Sequence, residues 1–163
     1  MQVAGIIMNS VVNGIGIRDV IFLQGCLHHC PECHNPKTWD YHSGVERDIY
    51  EVQFELRNSD NDITISGGEP LLQYLEVIRF LKSINNFQNK RAWLYTGFKY
   101  EEIPPKMLKE LSRYVDVLVD GRFEIEKKDL TLQFRGSSNQ RLIDLPMSVQ
   151  LNKIVLWEDT SER

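Results

Sequence analysis

Cys26, Cys30 and Cys33 are the only cysteines of the chain, and all three fall in one octapeptide, Cys26-Leu-His-His-Cys30-Pro-Glu-Cys33. Thiolates at that spacing suit an iron–sulfur site with one protein ligand too few, because a 4Fe-4S cluster normally takes four. The fourth iron is then open to a small molecule, which turns a redox centre into a place for chemistry. Apolar burial is one alternative for free cysteines, but three within eight residues are hard to place separately in a core. Disulfides fit neither the odd count nor a chain without an export signal. Zinc is the serious rival, since His28, His29 or His34 could complete a Cys3His tetrahedron. Structural zinc sites usually draw on two separated knuckles, and no second Cys-x-x-Cys or His-x-x-x-His follows downstream. The spacing favours iron and sulfur.

Such a loop needs a scaffold, and the composition allows one. At 163 residues the chain suits a single domain, 1–163, and 42% hydrophobic with 26% charged residues is ordinary for a globular protein. A net charge of −4 supplies no basic face for nucleic acid. Met1 to Met8 has no basic start and is too short for a signal peptide or a membrane span. The expectation is a protein of the reducing cytoplasm that contacts neither membrane nor nucleic acid.

Periodicity predicts alternating strands and helices. The apolar run Val20–Leu23 reads as a strand buried on both faces. Val45, Ile49, Val52, Phe54 and Leu56 predict a helix from about Val45 to Leu56. Ile63–Ile65 is a second strand, followed by Gly67-Gly68-Glu69-Pro70. Leu71, Leu72, Leu75, Val77, Ile78, Leu81 and Ile84 then recur at helical spacing, with Pro70 tolerated in the first turn. Ala92–Tyr95 and Val115–Val119 are further strands, separated by a helix after Pro104-Pro105 with Met107, Leu108 and Leu111 inward. Thr131–Phe134 and Val149–Leu156 are candidate strands in the less regular remainder.

That alternation predicts an α/β fold with a parallel sheet. Each strand ends in polar or glycine-rich residues: Gly25-Cys26, Ser66 to Glu69, Thr96-Gly97, and Asp120-Gly121-Arg122. Active sites of barrels and open α/β sheets assemble at that edge, so these turns should meet at one pocket. A full eightfold barrel needs about 250 residues, and the expected architecture is therefore a partial, open (β/α) barrel. Gly67-Gly68 would let backbone approach a ligand, Glu69 could accept from an ammonium group, and Arg122 with Asp120 could grip a carboxylate and a polar donor. Taken singly, these are equally a tight turn and a surface ion pair. Together they suit an amino acid derivative that also coordinates iron.

Cys-x-x-x-Cys-x-x-Cys after the first strand, with Gly-Gly-Glu after the second, resembles the radical S-adenosylmethionine (SAM) superfamily. Val12-Asn-Gly-Ile-Gly-Ile-Arg18, Asn35-Pro-Lys-Thr-Trp39, Trp93-Leu-Tyr-Thr-Gly97, Val117-Leu-Val-Asp-Gly-Arg122 and Arg135-Gly-Ser-Ser-Asn-Gln-Arg141 sharpen the match. Over roughly Val12 to Asp144 they are similar to the small activases of anaerobic (class III) ribonucleoside-triphosphate reductase. The resemblance implies that Cys26, Cys30 and Cys33 hold a 4Fe-4S cluster whose fourth iron is chelated by the amino and carboxylate groups of SAM. Ser66, Gly67, Gly68 and Glu69 would line the methionine moiety, with Glu69 near the ammonium, while Asp120 and Arg122 would contact ribose or carboxylate groups. Beside the third cysteine, where that family usually carries glycine and then an aromatic residue, this chain has Glu32 and His34. Both are placed among the SAM contacts, His34 as a planar ring near adenine.

Reductive cleavage of SAM would give a 5′-deoxyadenosyl radical, which takes a hydrogen atom from a glycine of the reductase. The implied partners are the reductase large subunit and a flavodoxin- or thioredoxin-type electron donor. No acid–base pair is required. His28 and His29 either tune the cluster by hydrogen bonding or are solvent-exposed loop histidines, the plainer reading. Arg135, Asn139 and Arg141 lie in a turn-rich stretch that reads as a surface loop, and the resemblance makes it a candidate for docking the reductase or closing the site. Two other functions fit the same residues less well: an activase of another glycyl-radical enzyme such as pyruvate formate-lyase, and a zinc-binding interaction module without catalysis.

Overall fold

The computed structural model describes residues 1–159. Its strands are β1 (Gln2–Ser10), β2 (Arg18–Leu23), β3 (Val45–Glu46), β4 (Asp62–Gly67), β5 (Ala92–Tyr95), β6 (Val115–Asp120) and β7 (Arg141–Asp144). Its helices are α1 (Ile49–Glu55), α2 (Tyr74–Gln88), α3 (Pro105–Leu111) and α4 (Leu145–Leu151). The strands form one seven-stranded sheet in the order β3-β1-β2-β4-β5-β6-β7. The four central strands β2, β4, β5 and β6 run parallel, as an open part of a (β/α) barrel requires. Antiparallel strands close both edges: β1 against β2 and β3, and β7 against β6.

Helices cover one face. Val52 of α1, Val77, Phe80, Leu81 and Ile84 of α2, Leu108 and Leu111 of α3, and Leu145 of α4 join the buried side chains of the sheet in a single apolar layer. Burying a side chain of this size contributes about 1.5–3 kcal/mol, so α2 is anchored far more firmly than its propensity alone would hold it. Side chains alternate across a strand, and β5 shows it: Ala92 and Leu94 enter that layer, while Trp93 joins Val117, Val119 and Leu142 on the opposite side. That opposite side holds the cavity described below.

Several local expectations are corrected. The helix predicted from Val45 starts at Ile49, because Asp48 and Glu51 form a reciprocal capping box and Val45–Glu46 instead pairs with β1. Val149–Leu156 is not a strand. Asp144 caps α4 by accepting from the Met147 amide at 2.9 Å, the helix runs to Leu151, and Asn152 at φ 50° ends it. Leu156 keeps one isolated bridge to Ile143. Thr131–Phe134 is likewise irregular, since the Asp129 carboxylate turns the chain by accepting from the Thr131 amide and hydroxyl and Phe134 adopts φ 60°. The edge strands β1 and β7 were not expected. Among the described residues, no helix is long and apolar enough to cross a membrane.

Candidate active site

The carboxyl ends of β2, β4, β5 and β6 surround one cavity of about 670 Å3, within the range of cofactor sites. All three cysteines border it, with His28, His34, Trp39, Ser66, Gly67, Gly68, Thr96, Gly97, Arg122 and Phe123. The far wall is the irregular stretch after β6, including Leu130, Phe134, Arg135 and Gln140. Every predicted strand-end turn therefore reaches one place.

Left-handed backbone at Gly25, His29 and Glu32 lets the cysteine loop turn back on itself over a few residues. Its base is fixed by backbone bonds, Gly25 N–H to Thr38 O at 2.8 Å and Cys26 N–H to Trp39 O at 3.0 Å. Cys26 is buried, Cys30 and Cys33 half-buried, and none is in a disulfide. Backbone N–H groups of His28 and His29 face the Cys26 sulfur, and that of Phe123 faces Cys30. The Asn35 amide lies 3.4 Å from Cys33 Sγ. Burial pushes the Cys26 and Cys30 thiols up, against the lowering effect of those amides. Metal binding to such thiols releases their protons.

The residues fit a 4Fe-4S cluster by that donor set. Three thiols on one cavity wall each meet an amide of the kind that tunes cluster sulfur, and the positive charge of Arg122 lies near Cys30. Among the described residues, no three Cys, His, Asp or Glu side chains gather tightly enough to hold a single ion. Two buried donors in the cavity wall, Trp39 Nε1 and Arg135 Nε, have no protein partner.

The sequence of the site matches known proteins along most of its length. Residues 12–143 match the family described as a 4Fe-4S single cluster domain. An anaerobic ribonucleoside-triphosphate reductase-activating protein from Haemophilus influenzae is 35% identical over 140 residues, 80% of this chain and 90% of the relative. A protein of the same name from Enterobacteria phage T4 is 38% identical over 140 residues, 80% of this chain and 86% of the relative. The Escherichia coli K12 protein of that name is 34% identical over 140 residues, with 80% and 90% covered. The chain belongs to the family of anaerobic ribonucleoside-triphosphate reductase-activating proteins.

Family membership does not fix what each side chain does, and here the structure departs from three expectations. Glu69 is fully buried. Its Oε1 accepts from the Leu71 amide at 2.9 Å and the Thr96 hydroxyl at 2.8 Å, and its Oε2 from the Gly97 amide and His28 Nε2, both at 2.8 Å. An ionised carboxylate has about four acceptor sites, so none is left for a ligand ammonium. Asp120 is also buried and does not pair with Arg122. It accepts from the Tyr100 amide at 2.7 Å and from the guanidinium of Arg141, which also binds Glu101. Glu32 is exposed and does not line the cavity. Its φ of 56° explains why glycine is favoured there: the position requires a backbone conformation, with no contact implied.

His28 was read as a loop histidine, yet its side chain is 5% exposed. His29 is exposed and stacks obliquely on Trp39 at 4.7 Å. His34 does face the cavity, tilted against Phe123 at 4.9 Å. Residues 135–141 are not a free surface loop. Gln140 accepts from the Gly136 and Ser137 amides and donates to Gly121 O, while Asn139 donates to Arg122 O at 2.8 Å. The stretch is fastened to the Asp120-Gly121-Arg122 turn as a wall of the cavity.

Proposed function

We propose that this chain installs a glycyl radical on an anaerobic ribonucleoside-triphosphate reductase, using SAM and a 4Fe-4S cluster held by Cys26, Cys30 and Cys33. The observation that carries this reading is the convergence of all three thiols, the Gly67-Gly68 turn and Arg122 on one cavity. When bound, the cluster and SAM supply one-electron cleavage chemistry and a hydrogen-abstracting radical.

The chain's own residues orient and enclose. Ser66, Gly67 and Gly68 line the methionine end, and the two glycines let this turn pack directly on the backbone of β2 and the cysteine loop. Arg122 offers a cation to the SAM carboxylate, and the tilted His34 and Phe123 rings offer aromatic surface to adenine. Leu132, Phe134 and Gly136 line the other side. Val12 and Leu130, 70% and 86% exposed, border the cavity where a glycine-bearing segment of the reductase must enter. A flavodoxin- or thioredoxin-type protein is the reductant in this reading.

Anaerobic reconstitution with iron and sulfide, reduction, and addition of SAM and the reductase should give the EPR signal of a glycyl radical. A cluster that cleaves SAM but leaves the reductase without a radical would point to another glycyl-radical enzyme. A protein that takes up zinc and forms no SAM-responsive cluster would defeat the reading altogether.

A further inference from the structure

We propose that His28 and Glu69 form a buried strut that sets the cysteine loop against the Gly67-Gly68 turn, making both positioning residues for SAM binding. The inference rests on the cluster-and-SAM reading above and assigns to these two side chains a role that neither motif predicts. His28 lies between Cys26 and Cys30, and its Nε2 is 2.8 Å from Glu69 Oε2, with side-chain exposures of 5% and 0%. The other three partners of the carboxylate are donors, and an ionised carboxylate only accepts. Nε2 therefore carries the proton in this contact.

The geometry makes the pair a junction of three segments. Glu69 belongs to the turn after β4, Thr96 and Gly97 to the end of β5, and His28 to the loop that carries the thiols. Backbone bonds fix the loop only at its base, where the Glu69 amide meets Gly25 O at 2.7 Å. Beyond Cys26, the hydrogen bond that ties the loop to this turn is His28 to Glu69. The imidazole is also wedged in place: Phe98 meets it edge-on at 4.6 Å, and a Cβ at position 97 would sit 2.3 Å from its ring carbon. Gly97 has no positive φ, so the space taken by His28, rather than a backbone requirement, calls for glycine there. With the Glu69 amide on Gly25 O at the base and His28 on the Glu69 carboxylate beyond it, the thiol loop and the ligand turn are held at one spacing, and a ligand bridging cluster and turn depends on that spacing.

The test uses five variants after anaerobic reconstitution: His28→Leu, His28→Gln, His28→Ala, Gly97→Ala, and Gly97→Ala in the His28→Ala background. Iron per chain is measured first, then SAM affinity from the SAM-induced change in the EPR spectrum of the reduced cluster. His28→Leu should keep its iron but bind SAM about tenfold more weakly or worse, the range seen when a group that orients ligands is removed. His28→Gln, which keeps a donor, should recover most of that loss. Gly97→Ala should weaken SAM binding alone and add nothing once the ring at position 28 is gone, the non-additivity expected of neighbours that share one contact. If His28→Leu binds SAM like the unmodified protein, or if Gly97→Ala has the same effect in both backgrounds, the strut is refuted. Should His28→Leu fail to fold, the Gly97→Ala pair decides alone. Failure of the unmodified protein to show any SAM-induced change would instead overturn the underlying cluster-and-SAM reading.

Discussion

Gly68 offers the sharpest quantitative test of how the site is packed. A Cβ at this position would lie 2.2 Å from the carbonyl oxygen of Gly25, 2.8 Å from its carbon and 3.0 Å from Thr38 O. All three are backbone atoms, so no side chain can swing aside. A carbon–oxygen contact settles near 3.3 Å, and the turn and the cysteine loop must therefore part by about 1 Å. Two backbone bonds cross that seam, Glu69 N–H to Gly25 O at 2.7 Å and Gly68 N–H to Leu23 O at 2.8 Å. Stretched by about 1 Å, neither is a hydrogen bond any longer. A buried donor left unmade costs about 1–3 kcal/mol, so Gly68→Ala should lose about 3 kcal/mol in total. For a domain of this size each kcal/mol moves Tm by about 2–4 °C, which gives a fall of about 6–12 °C in the apo protein.

The displaced carbonyl belongs to the residue before Cys26, so iron loading on reconstitution should fall together with SAM affinity. Gly5→Ala is the control. Gly5 sits in β1 with nothing within 4 Å of its added Cβ, and that change should stay within about 0.5 kcal/mol. Scanning calorimetry and iron assays on the two variants settle the matter. A Gly68→Ala protein with the Tm and iron content of the control would refute the close packing of turn and loop.

Cys30→Ala should abolish both the SAM-responsive cluster signal and SAM cleavage, and robust formation of the cleavage product by this variant would sink the ligand assignment. Alanine at Arg135, Asn139 and Arg141 together should reduce SAM cleavage and reductase activation in parallel, because Arg135 lines the cavity while Asn139 and Arg141 tie its wall to the Asp120-Gly121-Arg122 turn; selective loss of activation would return the stretch to docking. Arg141→Ala alone strands the buried Asp120 carboxylate without its cation, which should cost about 3 kcal/mol in urea unfolding, against no change if the pair is dispensable. The hydrogen bond from Arg141 holds the Glu101 carboxyl down at about 2, from an ordinary 4.5. Its stabilisation is therefore present above pH 4.5 and is lost as pH falls towards 2. Glu101 is more than half exposed, so the difference between the unmodified protein and Glu101→Gln should be under about 1 kcal/mol at neutral pH and vanish near pH 2. A difference that grows on acidification would contradict the pairing.

The parallel core was legible because strands such as Val20–Leu23 read as unbroken apolar runs. The edges were not. β1 exposes Ile7 and Met8, which erases the alternation that marks a half-buried strand, and β7 is four residues long behind a polar loop. The start of α4 was readable after all, from Asp144 ahead of Pro146, but the β-branched Val149, Ile154 and Val155 drew the reading towards a strand. At the site, the thiols and glycines were legible because their chemistry depends on residue type and local spacing. Glu69 and Asp120 were misread because their partners, His28, Thr96 and Arg141, lie 21 to 41 positions away and join them only when the strand ends meet.

That misreading has a physical reason which bears on how the site works. An open carboxylate beside three thiolates would oppose their ionisation, and it would also repel the carboxylate of an amino acid ligand. The fold places both acidic groups of these turns behind the backbone. Glu69 is saturated by four donors, and Asp120 is neutralised by Arg141. Each carboxylate ties the end of its own strand to a neighbouring segment, while the cavity sees glycine backbone, hydroxyls and the cation of Arg122. Among the described residues, Asp129 is the only carboxylate-bearing residue in the cavity lining, and its side chain is engaged by Thr131. The acids of the Gly-Gly-Glu and Asp-Gly-Arg motifs are thus tied into the fold and kept out of the cavity lining, although burial and then the charge of Glu69 still push the Cys26 thiol up. Exposing one of them, as His28→Leu would partly do to Glu69, should weaken the binding of an anionic ligand while the three thiols keep their iron.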